Sequence, residues 1–252
     1  MLHKQEAIII RTIDYSDSSQ IFTMITPERG KIGMIAKGLK RPKNPYQSAM
    51  QTLNYINVVY YQKNENKLSI FKECSICNPF LGIRKNLESI YAALYCTELI
   101  REVSQEEQTE EKTFKLLRYS LFKLAEQVSP RNITLYFTWY LLNIEGVLPP
   151  LYCCAKCKQS IDLSGMYVFY SNRSVLFCSR CNPISLDAQI KIHGSALVKL
   201  YQMLQETPQY NLSTIQYTTQ EYQELIALFT IYIQKELEKR TNLFRYLQKL
   251  TY

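Results

Sequence analysis

The sequence lacks long apolar runs, glycine-rich phosphate loops and any histidine-based catalytic pattern. No apolar run in its 252 residues is long enough to cross a bilayer, and the N-terminal one, residues 7–10, is too short for a signal peptide, so we expect a cytoplasmic protein. Only seven glycines occur, and neither GxxxxGKS/T nor GxGxxG is present, which argues against a P-loop nucleotide hydrolase. His3 and His193 are not paired with a nucleophile. We therefore predict no enzymatic activity.

Cysteine, in contrast, is frequent and regularly spaced. Two CxxC pairs, Cys154/Cys157 and Cys178/Cys181, stand twenty residues apart. This spacing predicts one structural zinc ion per chain, held by four thiolates that leave no coordination position open for water. Redox dithiols or disulfides are the alternative, which we rank below zinc because an intracellular chain keeps its thiols reduced.

The remaining cysteines have simpler interpretations. Cys153 adjoins the first pair and would replace Cys154 only by breaking the symmetry of the two pairs. Cys74 and Cys77 form a third CxxC without a partner pair, and we interpret them as small apolar residues at the end of a strand, with a redox or metal role as the alternative. Cys96 falls in a helical pattern and is predicted to lie in the core.

Residues 1 to about 78 have the alternation of strands. Five strands are predicted, at residues 6–12, 19–26, 31–38, 53–62 and 68–74, with a bulge or sharp bend at Gly33. Five short strands in fewer than eighty residues indicate a small barrel. An OB-type barrel and an SH3-like barrel both fit this pattern.

Acidic residues are absent from Arg29 to Asn64, and this gap is the main functional signal of the barrel. The same stretch carries seven basic residues, and two prolines stiffen its loop Gly38 to Pro45. The net charge of +8 predicts a polyanionic partner, and charge alone does not choose between nucleic acid and an anionic membrane. A basic loop beside a barrel face is suited to a phosphate backbone. Aromatic residues on the strands, Tyr55, Tyr60, Tyr61 and Phe71, would stack on unpaired bases. The alternative is a solvated turn with tyrosines that fill the barrel, which we favour for any single tyrosine. The predicted DNA-binding residues are Arg29, Lys31, Lys37, Lys40, Arg41, Lys43, Tyr55 and Tyr60; Lys63 completes the basic set.

From about Leu81 the periodicity becomes helical. Apolar stripes predict helices around residues 87–99 and 114–128, a third opened by Ser129-Pro130 and closed at Gly146, and, after the cysteines, helices at 196–205, 218–237 and 241–250. Thr218 and Glu221 form a capping box. The predicted architecture is an α+β protein: a small β-barrel at 1–79, then an all-helical domain at 80–252 with the zinc knuckle inset at 148–183.

Taken in order, these features resemble the RecO family of bacterial DNA repair and recombination mediators. The likeness spans nearly the whole chain. Its most specific parts are residues 29–41, the helix at 91–99 with Glu98-Leu99, Gly146 to Cys157, and Met166 to Cys181. One departure is Lys158, because the family often has glycine after the first CxxC.

The resemblance implies an OB-fold, a helical second domain and a zinc knuckle. It further implies binding of single- and double-stranded DNA, annealing of complementary strands, and loading of the RecA recombinase on strands coated by single-stranded DNA-binding protein (SSB). RecR and the SSB tail would be partners, the protein would associate with the nucleoid, and no membrane would be involved. Two rival hypotheses from the residues alone are a zinc-containing adaptor without a direct DNA role and a dithiol oxidoreductase.

Overall fold

The computed structural model describes residues 1–63, 68–104, 110–148, 150–183, 189–205, 212–236, 246 and 250. The chain divides into two compact units, Met1–Gln127 and Val128–Tyr252. The first unit therefore includes two long helices besides the strands. The predicted domain boundary after residue 79 stays a prediction. The division into compact units places these two helices with the strands, and it does not test where a domain boundary lies.

The first unit is built on a closed five-stranded barrel. Its strands are β1 (Leu2–Asp14), β2 (Gln20–Thr26), β3 (Gly30–Ala36), β4 (Tyr55–Tyr61) and β5 (Ser69–Asn78). They close in the order β1-β2-β3-β5-β4, all antiparallel except the short parallel pairing of β3 with β5. This five-stranded closure is that of an OB-type barrel, so the predicted fold is confirmed.

Strict alternation explains how the strands face the core. In β3, Ile32, Met34 and Ala36 are buried while the residues between them are half-buried, as a period of two requires. Large side chains from the other strands, including Phe22 and Tyr60, complete the interior. The five strands predicted from the sequence are therefore present, and β1 and β5 are longer than predicted.

The predicted bulge at Gly33 is wrong. Pairing of β2 with β3 runs through Gly33 without a register shift, and the shifts lie in β1, between Ile9 and Arg11, and in the β4–β5 pairing. Glycine is instead needed for space, because a Cβ at this position would lie 2.7 Å from Cδ2 of Leu68.

Two long helices complete the first unit: α1 (Leu87–Val103) and α2 (Glu111–Ala125), with a short 3₁₀ turn before them at Ile83–Lys85. The Asn86 side chain accepts hydrogen bonds from the first-turn amides and so caps α1. Cys96 is fully buried, as predicted. Gly82 lies against the end of α2, where an added Cβ would come within 2.1 Å of the Ala125 carbonyl oxygen.

The second unit contains three described helices and a sheet. The helices are α3 (Pro130–Ile144), α4 (Gly194–Gln205) and α5 (Thr219–Glu236). Ser129 caps α3 with Pro130 in its first turn, and Gly146 ends the helical stretch with a φ of 71°, as the sequence predicts. The helix predicted at 241–250 lies outside the described residues except for 246 and 250.

The prediction of an all-helical domain at 80–252 is wrong, because this part of the chain also contains a sheet. Strands β6 (Met166–Tyr170), β7 (Val175–Cys178) and β8 (Gln189–His193) form an antiparallel sheet in the order β7-β6-β8. Buried Phe169, Leu176 and Ile192 face the core of the unit. The sequence analysis treated this region as knuckle loops because its strands have only four or five residues.

The capping box at the start of α5 is confirmed. The Thr218 amide donates to Glu221 at 2.8 Å, and the Glu221 amide donates back to Oγ1 of Thr218 at 3.1 Å. The same carboxylate receives Nζ of Lys199 from α4 at 2.6 Å. Burial opposes ionisation of Glu221, but these hydrogen bonds hold its pKa below the usual range. This site therefore joins α4 to α5.

Within the described ranges, no helix is both long and apolar enough to span a bilayer.

Candidate metal centre and candidate nucleic-acid surface

The four predicted ligands converge at one point of the second unit. The sulfurs of Cys154, Cys157, Cys178 and Cys181 all lie within 4.8 Å of one another, and those of Cys157 and Cys178 are 3.9 Å apart. A tetrahedron with zinc–sulfur bonds of about 2.3 Å has edges of about 3.8 Å. The cysteine group therefore has the size and the donor chemistry of a four-thiolate zinc site.

Backbone hydrogen bonds build the two knuckles around β7. The Ala155 amide donates to the Leu176 carbonyl at 2.7 Å, which ties the first knuckle to the strand. The Cys178 amide donates to the Cys154 sulfur at 3.4 Å. Lys158 closes the first knuckle with a φ of 59°, a left-handed conformation that glycine adopts more easily, which explains why glycine suits this position.

Two thiols of the group have shifted pKa values. Although burial opposes ionisation of Cys154, amide donors from Cys178, Cys157 and Lys156 bring its pKa down to about 6. Burial and the neighbouring sulfurs raise the pKa of Cys181 to about 12. The Cys154 thiolate thus forms readily and the Cys181 thiol resists ionisation, because adjacent negative charges are unfavourable without a positive ion between them. Zinc would supply that charge and cross-link the two knuckles.

The other cysteines remain outside this group. Cys153 is not among its members, so the alternative in which it replaces Cys154 does not fit the geometry. Cys74 and Cys77 lie on β5, and both are free thiols. Burial, reinforced by Glu73, raises the pKa of Cys74 to about 11, and burial and Glu6 also raise that of Cys77. Reactive thiols have lowered pKa values, so this CxxC lacks the property that redox chemistry needs.

The basic stretch of the first unit forms an ordered loop between β3 and β4, residues 37–54, which we name the basic loop. Its apolar members Leu39 and Met50 are buried in the barrel core. Gln47 Nε2 donates to the carbonyls of Leu39 and Arg41, both at 2.9 Å, and Asn54 Nδ2 donates to those of Ser48 and Ala49. The loop backbone is therefore fixed, and its charged side chains project from a defined frame.

The predicted cations differ in how they are placed. Lys37, Arg41 and Lys43 are exposed on the basic loop, and Lys43 has a φ of 66°. Lys40 is paired with Asp14 of β1 at 2.9 Å, a counter-charge that the sequence analysis missed. Lys63 is exposed just after β4.

The two cations before the basic loop are engaged elsewhere. Lys31 donates to the Arg101 carbonyl at the end of α1, at 3.1 Å, where the helix dipole favours a positive charge. Nη1 of Arg29 is 3.0 Å from Nε2 of His3, which must be the acceptor because guanidinium only donates. A phosphate would have to compete with these contacts at Lys31 and Arg29.

The stacking role predicted for Tyr55 and Tyr60 is not supported. Tyr60 is fully buried in the barrel core, and Tyr55, 8% exposed, packs edge-on against Phe114 with its hydroxyl near Arg118. Neither ring offers a face to a base: Tyr60 fills the barrel, as the alternative predicts, whereas Tyr55 is buried outside the barrel core against α2. The exposed tyrosines of the barrel are Tyr61, at 40%, which the sequence analysis also named, and Tyr15, at 63%, which it did not. Tyr15 stands in a loop directly after β1, a position that a search confined to strands overlooks.

An OB-type barrel with a basic loop, followed along the chain by a unit with a four-cysteine group of metal-site size, defines a class of proteins that combine a barrel common in nucleic-acid binders with a candidate metal site. Comparison with known proteins narrows this class. The family described as "Recombination protein O N terminal" matches residues 1–80, and "Recombination protein O C terminal" matches residues 84–243. The chain belongs to the RecO family of DNA repair and recombination proteins.

Individual members of this family align with the chain over most of their own length. DNA repair protein RecO of Syntrophus aciditrophicus is 25% identical over 98% of this chain and 96% of its own. That of Bacillus subtilis is 28% identical over 91% and 88%, and that of Halalkalibacterium halodurans is 30% identical over 72% and 69%.

Proposed function

We propose that the protein is a non-enzymatic recombination mediator that binds single- and double-stranded DNA through the basic loop and anneals complementary strands. The observation that carries this proposal is the fixed backbone of the loop, which holds Lys37, Arg41 and Lys43 exposed without an acidic partner among the described residues. Family membership supports the same function. We further propose that it assists loading of RecA on SSB-coated DNA, with RecR and the SSB tail as partners, and that it acts in the cytoplasm at the nucleoid.

Annealing by this arrangement needs no chemical step. The loop cations neutralise phosphates and release counterions, which gives tight and largely sequence-independent binding. Screening lets two like-charged strands approach, and base pairing then supplies the driving force. Lys40 contributes after exchanging Asp14 for a phosphate, a small cost because the pair is solvent-exposed.

Zinc, one ion per chain, is proposed as a structural cross-link held by Cys154, Cys157, Cys178 and Cys181. Its place in the function is to keep the two knuckles and β7 in register within the second unit. Four thiolates leave no position for a reactive water, so the ion would not supply catalysis.

The experiment is charge reversal on the basic loop. Replacing Lys37, Lys40 and Arg41 by glutamate should abolish DNA binding in a fluorescence anisotropy titration at moderate salt, with the circular dichroism spectrum unchanged. Milder replacement by glutamine should lower the slope of log K against log salt by roughly 2 for single strands and roughly 3 for duplex, the amount expected for three phosphates.

A matched control makes the same charge change elsewhere in the first unit. Lys85, Lys112 and Lys115 are exposed but lie outside the barrel strands and the basic loop. Their reversal should lower affinity far less than reversal of the loop. Equal losses in both variants would mean that only overall charge matters, and unchanged binding in the loop variant would place the DNA surface elsewhere.

A further inference from the structure

The loop between β1 and β2 presents an aromatic ring to solvent in a fixed position. Tyr15 is 63% exposed, yet its backbone is held, because its amide donates to the Ser19 carbonyl at 3.0 Å. The Ser16 and Ser19 backbones exchange two further hydrogen bonds across the same turn. Most of the ring therefore remains accessible to a ligand, on a turn whose backbone is ordered.

This turn is joined directly to the basic loop. The Lys40 amide donates to the Ser18 carbonyl at 3.0 Å, and the Lys40 ammonium pairs with Asp14, the residue before Tyr15, at 2.9 Å. Both contacts attach the tyrosine turn to the segment that carries Lys37 and Arg41. The turn that carries Tyr15 therefore adjoins the proposed phosphate path.

Local charge indicates which part of a nucleic acid the ring would meet. Asp14 precedes Tyr15 and Asp17 follows it closely, so a phosphate is disfavoured at this point while a neutral base is not. The Asp14 carboxylate is itself occupied by Gln20 Nε2 at 2.8 Å and by Lys40. An exposed aromatic ring next in sequence to Asp14, on a turn hydrogen-bonded to the basic loop, suits a nucleobase whose own phosphate is bound by the loop cations.

We propose that Tyr15 is a stacking platform for an unpaired base and gives the protein a preference for single-stranded over double-stranded DNA. This inference rests on the proposed DNA binding by the basic loop and adds a base-contacting residue to it. Bases inside a duplex are already stacked on both faces and cannot occupy the ring, whereas phosphates of either form reach the cations.

The test compares single-stranded and duplex oligonucleotides of equal length on the full chain. Tyr15→Ala should weaken single-strand binding roughly five- to hundredfold, the range of one base–aromatic stack, and leave duplex affinity and both salt slopes as in the wild type. Tyr15→Phe keeps the ring and should recover most of the loss. Tyr152→Ala is the matched control, because Tyr152 is equally exposed, at 62%, but lies in the other unit.

The substitution Tyr15→Trp allows base stacking to be measured directly by fluorescence. The chain has one tryptophan, Trp139, which is 8% exposed, so the new indole dominates the solvent-sensitive fluorescence. Single strands should quench it, and duplex should not.

Two results overturn the inference: Tyr15→Ala that leaves single-strand affinity unchanged, or a loss equal for both DNA forms. If reversal of Lys37, Lys40 and Arg41 abolishes binding in the same assay, only the role of Tyr15 has failed. If that reversal also has no effect, the proposed function itself has failed.

Discussion

The side-chain amide of Gln47 helps to hold the backbone of the basic loop, and the substitution Gln47→Leu removes this amide. Gln47 Nε2 donates to two carbonyls, those of Leu39 and Arg41, each at 2.9 Å. Leucine has similar bulk and no donor, so the substitution deletes both hydrogen bonds and changes no charge. If preorganisation of the loop matters for binding, the cations of the variant should bind DNA less tightly without any loss of charge.

The magnitude follows from those two bonds. A hydrogen bond contributes about 0.5–1.5 kcal/mol net, and Gln47 is exposed, so water can replace it at the freed carbonyls. The low end applies, about 1 kcal/mol for the pair. Asn44, which donates to the Gly38 carbonyl at 3.2 Å, still holds part of the frame. We therefore expect a loss of DNA affinity of about fivefold, since about 1.4 kcal/mol corresponds to a factor of ten.

The assay is anisotropy over a salt series, with Gln51→Leu as control. Gln51 is exposed in the same loop, and its side chain makes no hydrogen bond recorded among the described residues. The Gln47 variant should bind about five times more weakly with an unchanged salt slope, and the Gln51 variant should bind like the wild type. A stability loss of about 1 kcal/mol without any change in affinity would refute the reasoning, because the frame would then be irrelevant to binding.

The remaining predictions concern stability. Metal analysis should find one zinc per chain, and Cys154→Ser should lose it and lower the melting temperature, whereas Cys77→Ser should keep it; metal-free protein purified under reducing conditions would contradict this. Glu221→Gln should lower the free energy of unfolding by about 1–3 kcal/mol. Hydrogen bonding lowers the folded-state pKa of Glu221, so its carboxylate stabilises the fold above the unfolded pKa of about 4.3 and loses this contribution as pH falls through the folded pKa. Urea curves of variant and wild type should therefore converge in acid, and a constant difference down to about pH 2 would contradict the prediction. Gly82→Ala should lower the free energy of unfolding by more than about 3 kcal/mol, because its Cβ would lie 2.1 Å from a backbone oxygen. Gly33→Ala should lower it by about 1 kcal/mol or less, because only the end of a leucine side chain, at 2.7 Å, must move. Equal urea midpoints for the two variants would show that the chain near Gly82 relaxes.

The barrel and the metal group could be predicted from the sequence because both depend on local spacing. Alternation in β3 fixes which residues face the core, and two CxxC pairs define their ligands before any fold is known. The sheet of the second unit could not be predicted in the same way. Its strand β8 pairs with β6 across the intervening residues 171–188, and short strands of four or five residues give too few alternations to be recognised.

The nucleic-acid surface could be predicted only in part, because it depends on which way side chains face. Tyr60 and Tyr61 are neighbours in β4, yet one is fully buried and the other is 40% exposed, a consequence of the two-residue period that composition alone cannot show. Lys40 likewise meets Asp14 only because β1 and the basic loop are adjacent in space. The sequence therefore indicates that this segment is cationic, while the fold decides which cations remain available and which rings are exposed: Tyr15 and Tyr61 are, and Tyr55 and Tyr60 are not.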